Sequence, residues 1–348
     1  MLLETHTWLV SDKEYENLIQ EHWETVRDIH FDKNSGTPYW INKAQEYKIN
    51  PKSLRTLQDF LDSPIGLCEE SEINQKPISY FIPKSTNRHG LRVFTSSGSM
   101  GKKKEVPWTD IGLNYASDYA SYMFDKTGIS RDIDWIVQGP MGIWQETIYK
   151  TITKRNGIVH SASIESRNIK RYFNEIRSPE DFAKNIPLQT MLGPASEFTA
   201  DTMLKEKIKG IATAIQNLPS IVNLPGFDNV EALYFSGMEI PKDQYEFWRG
   251  RLPHIKFISS FGHHQLGFSY NPPSQFETYY TPSPLSLVYI VDKDNPKRLV
   301  EYGERGKHKI LRMDDVYLWC QLDRDYSERV PPQGELKWDG IKDVQPLL

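Results

Sequence analysis

The chain has 348 residues, of which 38% are hydrophobic and 12% aromatic, and this is enough to build one large lobe or two fused lobes. Its formal net charge is −4, and Lys and Arg are dispersed except for the run at 102–104, so no nucleic-acid partner is expected. The N-terminus lacks a signal-like pattern, and no run of about 18 apolar residues occurs. We therefore expect a soluble, cytoplasmic protein that does not bind a membrane.

The two cysteines, Cys68 and Cys320, are too few for a disulfide framework or a cysteine metal site. We expect both to be buried thiols, because free cysteine behaves as a small hydrophobic residue. This cysteine content suits the reducing conditions of the cytosol.

Apolar spacing, capping residues and chain breakers predict alternating helices and strands along the chain. Helices are predicted at 12–30, from a cap at Thr109 to about Lys126, at 144–154, from Ser178, over 208–218 and from Pro241. Strands are predicted at 91–94, 133–137, 157–160, 232–235 and 255–258, with antiparallel strands at 285–291 and 307–313. The alternation predicts an α/β fold with a mainly parallel sheet, whose ligands bind where loops leave the carboxyl ends of strands.

The most informative motif covers residues 94–104, Phe-Thr-Ser-Ser-Gly-Ser-Met-Gly-Lys-Lys-Lys. Glycine lets backbone N–H groups turn towards an anion, serine hydroxyls add donors, and lysine supplies a mobile positive charge. This combination predicts a loop between two strands that holds polyphosphate. A Ser/Gly/Lys-rich surface loop without a ligand is the alternative.

The P-loop of nucleotide hydrolases does not account for this motif. A P-loop needs Gly-Lys followed at once by Ser or Thr, with a helix starting there. Here lysines follow Gly101, and Pro107 cannot extend a helix.

The motif resembles the phosphate loop of adenylate-forming enzymes, usually written S/T-S-G-S/T-T-G-x-P-K. The corresponding positions are Ser96, Ser97, Gly98, Ser99, Met100, Gly101 and Lys104. Met100 replaces a hydroxyl residue of that pattern, and Lys103 replaces its proline. The resemblance implies that Lys104, or failing that Lys103, contacts the β- and γ-phosphates of ATP while Ser97 and Ser99 donate hydrogen bonds.

Two later loops resemble nucleotide-binding elements of the same superfamily. The first is similar to the loop that contacts adenine, which implies ATP-binding roles for Ser236, Gly237, Met238 and Glu239. An ordinary turn between a strand and a helix is the alternative there. The second, residues 261–265, resembles an aromatic-Gly-x-Thr-Glu element, which implies that Phe261, Gly262 and His263 also contact the nucleotide.

Gln265 stands where that second element has a glutamate that helps to hold magnesium. An amide oxygen is neutral, so Gln265 is expected to be a weak metal ligand, or the metal rests mainly on ATP oxygens and water. His264 takes the place of the family's threonine beside the phosphates and would add positive charge there if protonated. A zinc site at His263 and His264 is not favoured, because adjacent residues on a strand point to opposite faces and no further ligands accompany them.

Asp323 and Asp325 lie about where adenylate-forming enzymes place a T-G-D element, although its glycine is missing. The resemblance implies that one of these carboxylates accepts hydrogen bonds from both ribose hydroxyls. A charged surface turn is the alternative. Residues 338–343 resemble the hinge into a small C-terminal lobe, so we expect an adenylation lobe over 1–343, a short tail over 344–348 and no small lobe.

Together the loops resemble the adenylate-forming superfamily over most of the chain. The branch that looks most similar contains the phenazine-antibiotic biosynthesis adenylating proteins and the acyl-protein synthetase of bacterial luminescence. The implied fold is a large N-terminal lobe with αβ subdomains and a distorted β-barrel. The implied enzyme is a ligase that joins a carboxylic acid to AMP, using ATP and Mg²⁺, for a reductase, acyl acceptor or carrier protein in specialised metabolism.

The acid substrate is predicted to lie near Met141, Trp144 and Gly193, where Met141 and Trp144 would sandwich an aromatic ring. These residues are equally compatible with a place in the core. The alternative function is a catalytically degenerate protein that binds ATP or an acyl-adenylate, which the glutamine at position 265 favours. By analogy with acyl-protein synthetases, Cys320 is a further candidate as an internal acyl acceptor.

Overall fold

The computed structural model describes residues 3–73, 75–95, 104–139, 141–164, 178–237, 240–273 and 275–346. The chain divides into two units. The first unit contains Met1–Ala116, His263–Ser269 and Glu277–Leu348, and the second contains Ser117–Gly262 and Tyr270–Phe276. Among the described residues, no helix is long and apolar enough to cross a membrane.

The described part of the chain begins with helices, alternates between strands and helices from about residue 105 to 263, and ends with consecutive strands. The helices are α1 Asp12–Phe31, α2 Pro38–Glu46, α3 Leu57–Asp62, α4 Glu70–Ile73, α5 Asp110–Lys126, α6 Ile143–Lys154, α7 Pro179–Lys184, α8 Ile186–Lys205, α9 Leu218–Ile221 and α10 Lys242–Arg251. The strands are β1 Arg92–Thr95, β2 Glu105–Trp108, β3 Asp134–Gly139, β4 Val159–Ser163, β5 Ile208–Thr213, β6 Ala232–Phe235, β7 Lys256–His263, β8 Gly267–Tyr270, β9 Thr278–Tyr279, β10 Ser286–Val291, β11 Arg305–Met313, β12 Leu318–Val330 and β13 Gly340–Pro346.

The predicted N-terminal helix is confirmed as α1 of the first unit. Ser11 caps it, since its hydroxyl accepts from the Glu14 backbone and the Glu14 carboxylate accepts from the Ser11 backbone. The helix buries His22, Trp23 and Val26, which are among the residues whose helical spacing predicted it, and also Phe31.

The antiparallel part of the first unit is a sheet with the strand order β10-β11-β12-β13-β9. Strands β10 and β11 pair from Ser286 with Arg312 to Val291 with Lys307, which confirms the antiparallel strands predicted at 285–291 and 307–313. Strand β13 pairs with β12 and β9, so residues 340–346 are part of this sheet. The predicted boundary between residues 343 and 344 stays a prediction.

The second unit is built around a sheet with the order β4-β3-β5-β6-β7-β8, in which neighbouring strands from β4 to β7 run parallel. This confirms the predicted parallel sheet. Strand β6 is buried along its whole length, as expected for a strand covered on both faces. Helices α5, α6 and α10 begin at or within one residue of the predicted positions, and Ser178 caps α7 through the Asp181 backbone.

The predicted helix over 208–218 is wrong. Residues Ile208–Thr213 form β5, a short 3-10 turn covers Ile215–Asn217, and α9 begins at Leu218. The isoleucines fit a helical spacing, but they also fit a central strand whose two faces are both buried. Pairing with the neighbouring strands of the sheet favours the strand here. Strand β7 likewise continues to His263, beyond the predicted closing turn at Ser259.

Candidate functional site

The phosphate-loop motif lies between two paired strands of the first unit. Strands β1 and β2 are antiparallel, from Arg92 opposite Trp108 to Thr95 opposite Glu105, so the predicted strand on each side of the loop is confirmed. Lys104 is the first described residue after the loop, directly before β2. The other predicted phosphate contacts lie outside the described residues: Ser96, Ser97, Gly98, Ser99, Gly101 and Lys103.

Strand β2 ends on a buried cation–π contact. The guanidinium of Arg312 lies 3.5 Å from the ring centroid of Trp108, and both side chains are fully buried. Arg312 also donates to the Asp314 carboxylate through Nε at 2.8 Å and to the Gln265 carbonyl oxygen through Nη1 at 3.3 Å. One arginine therefore contacts the strand after the phosphate loop and the backbone of the His263–Gln265 segment.

His263 and His264 lie side by side at the end of β7. Their ring centroids are 4.1 Å apart, so the prediction that they point to opposite faces is wrong, because β7 ends at His263 and His264 begins a turn. His263 Nδ1 accepts from the Gln265 backbone N–H at 3.3 Å, which places the ring proton on Nε2, 3.6 Å from Asp323 Oδ2. Burial, together with the charges of Lys104 and His308, lowers the pKa of His263 to about 3.

His264 is neutral at pH 7. Burial lowers its pKa well below the ordinary value, and the neighbouring His263 and Lys104 lower it further, against the opposing effect of Asp323. The positive charge predicted for a protonated His264 is therefore not supplied. Its Nε2 is buried and has no hydrogen-bond partner within the described part of the chain.

The Gln265 side chain is fully buried. Its amide nitrogen donates to Gln321 Oε1 at 3.1 Å, and the same oxygen accepts from the Trp319 indole at 2.9 Å. Gln265 Oε1, the atom that would bind a metal, is buried and has no hydrogen-bond partner among the described residues. The weak metal ligand predicted at position 265 therefore stays a prediction.

Asp323 and Asp325 lie on β12 and not on a surface turn, so that alternative is wrong. Lys307 pairs with Tyr326 and Lys309 pairs with Leu322, which leaves His308 opposite the three residues 323–325 in a β-bulge. One ligand-capable atom from each of His308, Asp323 and Asp325 lies within 4.8 Å of the others. No local sequence pattern indicates His308, because it lies 15 positions before Asp323 and only the bulge brings them together.

The ionisation of this cluster follows from burial. His308 is fully buried, which lowers its pKa to about 4, and its Nε2 lies 2.8 Å from the Ser327 hydroxyl. Burial and the neighbouring Asp323 raise the pKa of Asp325 to about 7, and the charge of Lys104 opposes this increase. Lys104 therefore acts electrostatically on Asp325 as well as on both histidines.

The predicted adenine loop follows β6 in the second unit. The Ser236 hydroxyl accepts from Ser260 Oγ at 2.8 Å, and Ser260 lies 2.7 Å from the Tyr234 hydroxyl. Gly237 has a φ of +87°, a conformation that favours glycine, with open space where a side chain would start. Met238 and Glu239 lie outside the described residues. Within β7, Phe261 is half-buried and Gly262 is exposed.

The predicted substrate residues differ in their surroundings. Trp144 is buried, with its ring stacked on Tyr234 at 6.2 Å between centroids and packed over Gly139, where an added Cβ would meet it at 2.4 Å. Met141 is 81% exposed. Gly193 lies inside α8 beside open space. Packing thus accounts for Trp144, whereas Met141 remains accessible to a ligand.

No protein-family model matches the sequence, and no curated protein matches it. Among solved structures, the chain is similar to 2-hydroxyisobutyryl-CoA ligase in an open conformation in complex with 2-HIB-AMP and CoA. The TM-score is 0.70 at 10% identity, covering 96% of this chain and 70% of that one. For the same ligase in the thioesterification state, the TM-score is 0.68 at 13% identity, covering 97% of this chain and 69% of that one. For the ligase in the postadenylation state with R3-HIB-AMP, the TM-score is 0.66 at 12% identity, covering 95% of this chain and 66% of that one.

The chain has the fold of the large N-terminal lobe of adenylate-forming enzymes. The predicted fold class is confirmed. The chain spans about two thirds of the length of these ligases. With so few identical residues the likeness concerns the fold, and the resemblance to one branch of the superfamily stays a prediction.

Proposed function

We propose that the protein activates a carboxylic acid with ATP, forming an acyl-adenylate and releasing pyrophosphate. The observation that carries this proposal is the grouping of three distant segments in the first unit. The charge of Lys104 acts on His263, His264 and Asp325, so the residue that ends the phosphate-loop motif lies near the two other predicted nucleotide segments. The fold supports the same reaction class.

The reaction joins two anions. An oxygen of the substrate carboxylate attacks the α-phosphorus of ATP, the bond to the bridging oxygen breaks, and pyrophosphate leaves with that electron pair. Positive charge and N–H donors fixed around the departing oxygens lower the barrier, because their charge is already oriented when the transition state forms. In this proposal Lys104 and the 96–101 loop supply that charge and those donors.

The remaining groups are assigned to positions around the nucleotide. Neutral His264 lies beside the phosphates as a hydrogen-bonding group, and Asp323 or Asp325 accepts from the ribose hydroxyls. The 236–239 and 261–263 segments contact the base and sugar. Mg²⁺ accompanies ATP mainly through phosphate oxygens and water, since the Gln265 amide oxygen is neutral and would be a weak ligand.

The finer part of the proposal concerns the substrate and its use. An aromatic acid is proposed because accessible Met141 offers a polarizable contact for a ring. The adenylate is handed to a reductase, acyl acceptor or carrier protein in specialised metabolism such as antibiotic biosynthesis, within the cytoplasm. This part rests on the sequence resemblance.

Acid-dependent ATP–pyrophosphate exchange tests the proposal, with a panel of aryl, fatty and amino acids. Lys104→Ala should reduce exchange about 10²–10³-fold, which is typical for removing one such donor. Lys342→Ala is the matched control, because Lys342 lies on β13 near Glu328 and away from the motif. Full exchange in Lys104→Ala would contradict the assignment of that lysine.

A degenerate ATP-binding protein is the second candidate, and the buried Gln265 favours it. In that case ATP would bind tightly in equilibrium dialysis, and no acid on the panel would support exchange. Loss of both ATP binding and exchange in the folded protein would contradict both functions.

A further inference from the structure

We propose that His308, Asp323 and Asp325 form a binding site for a divalent transition-metal cation. The site is separate from the predicted metal position at Gln265, and its existence does not depend on adenylate formation. It lies entirely within the first unit, on the adjacent strands β11 and β12.

The backbone places the three side chains together. Asp323 and Asp325 are two residues apart on β12, and the intervening Arg324 is exposed. The bulge between Lys307 and Lys309 sets His308 against this pair. The three ligand-capable atoms lie within 4.8 Å of one another. Metal–ligand bonds of about 2.0–2.2 Å would place neighbouring ligand atoms about 3–3.6 Å apart, so the three side chains would move towards one another on binding.

The charges of the cluster favour a cation. His308 is fully buried and Asp323 is 8% exposed. The histidine beside Asp323 is His263, whose Nε2 lies 3.6 Å from Asp323 Oδ2, and the charge of Lys104 also acts on Asp325. Two neighbouring carboxylates in a largely buried place still repel each other, and a bound divalent cation offsets this repulsion.

Outer contacts hold two of the three ligands. His308 Nε2 lies 2.8 Å from the Ser327 hydroxyl, which makes Nδ1 the ligating nitrogen. The Nε2 proton of His263 faces Asp323, and the Gln265 backbone holds that histidine on its other side. Histidine and carboxylate ligands supported in this way are typical of protein metal sites.

The ligand set indicates the class of metal. An imidazole with two carboxylates suits Mn²⁺, Co²⁺ or Zn²⁺, whereas Mg²⁺ prefers oxygen ligands and its own water shell. Three protein ligands leave coordination positions open for water or for hydroxyl oxygens of a bound nucleotide. The cation thus lies where the proposed ribose contact would be made.

Titration calorimetry of the full chain, freed of metal with EDTA, tests the site with Co²⁺ and with Mg²⁺. We expect one equivalent of Co²⁺ per chain, visible d–d absorption on binding, and much weaker binding of Mg²⁺. Asp325→Asn and His308→Gln should each weaken Co²⁺ binding about tenfold or more. Glu328→Gln is the matched control, since Glu328 lies on the same strand outside the cluster, and its affinity should not change.

Absence of stoichiometric Co²⁺ binding to the wild-type protein would overturn the site. Equal binding in wild type and in both cluster variants would also overturn it, and equal affinity for Mg²⁺ would overturn the class of metal. If His308→Gln fails to fold, the partly exposed Asp325→Asn decides. Pyrophosphate exchange is measured separately, so failure of this site and failure of adenylate formation are distinguishable.

Discussion

The central carbon of the Arg312 guanidinium lies 3.5 Å from the ring centroid of Trp108, and two of the guanidinium nitrogens donate to Asp314. Arg312 and Asp314 form a fully buried ion pair, and Asp314 also accepts from the backbone N–H groups of Val316 and Tyr317. This pair connects the strand after the phosphate loop with the sheet that carries Asp323.

Arg312→Met should reduce the free energy of unfolding by about 3–5 kcal/mol, because it leaves the Asp314 carboxylate buried without its cation. Urea unfolding measures this change. Arg305→Met on the same strand is the control, since its ion pair with Asp343 is 39% exposed on both sides and should contribute less than about 1 kcal/mol. Equal losses in the two variants would contradict the importance of burial.

Gln265→Glu should destabilise the protein and leave adenylation no faster. The new carboxylate cannot donate the hydrogen bond that Gln265 gives to Gln321, and it places a negative charge beside Gln321 Oε1 in a fully buried position. Together these changes should lower the free energy of unfolding by about 2–5 kcal/mol. Thermal unfolding and pyrophosphate exchange measure the two effects, with exposed Gln333→Glu as the control. Faster exchange with unchanged stability would show that position 265 faces the metal after all.

Stability should fall as the pH decreases from about 6.5 towards 4. Burial lowers the pKa of both His22 and His30 to about 4, and their Nε2 protons donate to the carbonyl oxygens of Met313 and Asp314. The unfolded chain takes up a proton below pH 6.5 while the folded protein does not, so each histidine's contribution is present above that pH. The free energy of unfolding should therefore fall by up to about 3 kcal/mol for each histidine as the pH decreases to about 4.

Urea unfolding across pH 4–8 measures this dependence, and the double variant His22→Gln/His30→Asn should make it less steep, because His263, His264 and His308 keep their lowered pKa values. His254→Gln, at an exposed position, is the control and should leave the slope unchanged. A wild-type stability that stays constant from pH 7 to pH 4.5 would contradict the assignment.

Neither cysteine should react with iodoacetamide in the native protein at pH 8. Cys68 and Cys320 are both buried free thiols, as predicted, and burial raises the pKa of Cys320 to about 12. Mass spectrometry should find no label in native protein and two labels in urea. Rapid labelling of Cys320 under native conditions would revive its candidacy as an acyl acceptor.

The elements that depend on patterns of a few neighbouring residues could be predicted from the sequence alone. The helix predicted from residue 12, the cap at Ser178 and the glycine-rich motif between two strands rest on patterns within a few residues, and each lies where it was predicted. The order of these elements was enough to indicate the fold class, because alternating strands and helices favour one parallel sheet.

Tertiary structure decided the rest. Whether Ile208 and Ile211 belong to a helix or to a strand depends on neighbours far away in the chain, since a short apolar run is compatible with both. Gln265 was singled out from a local motif, but only the fold shows that its side chain is fully buried and donates to Gln321. His308 meets Asp323 and Asp325 only through strand register and a bulge, which no local pattern records.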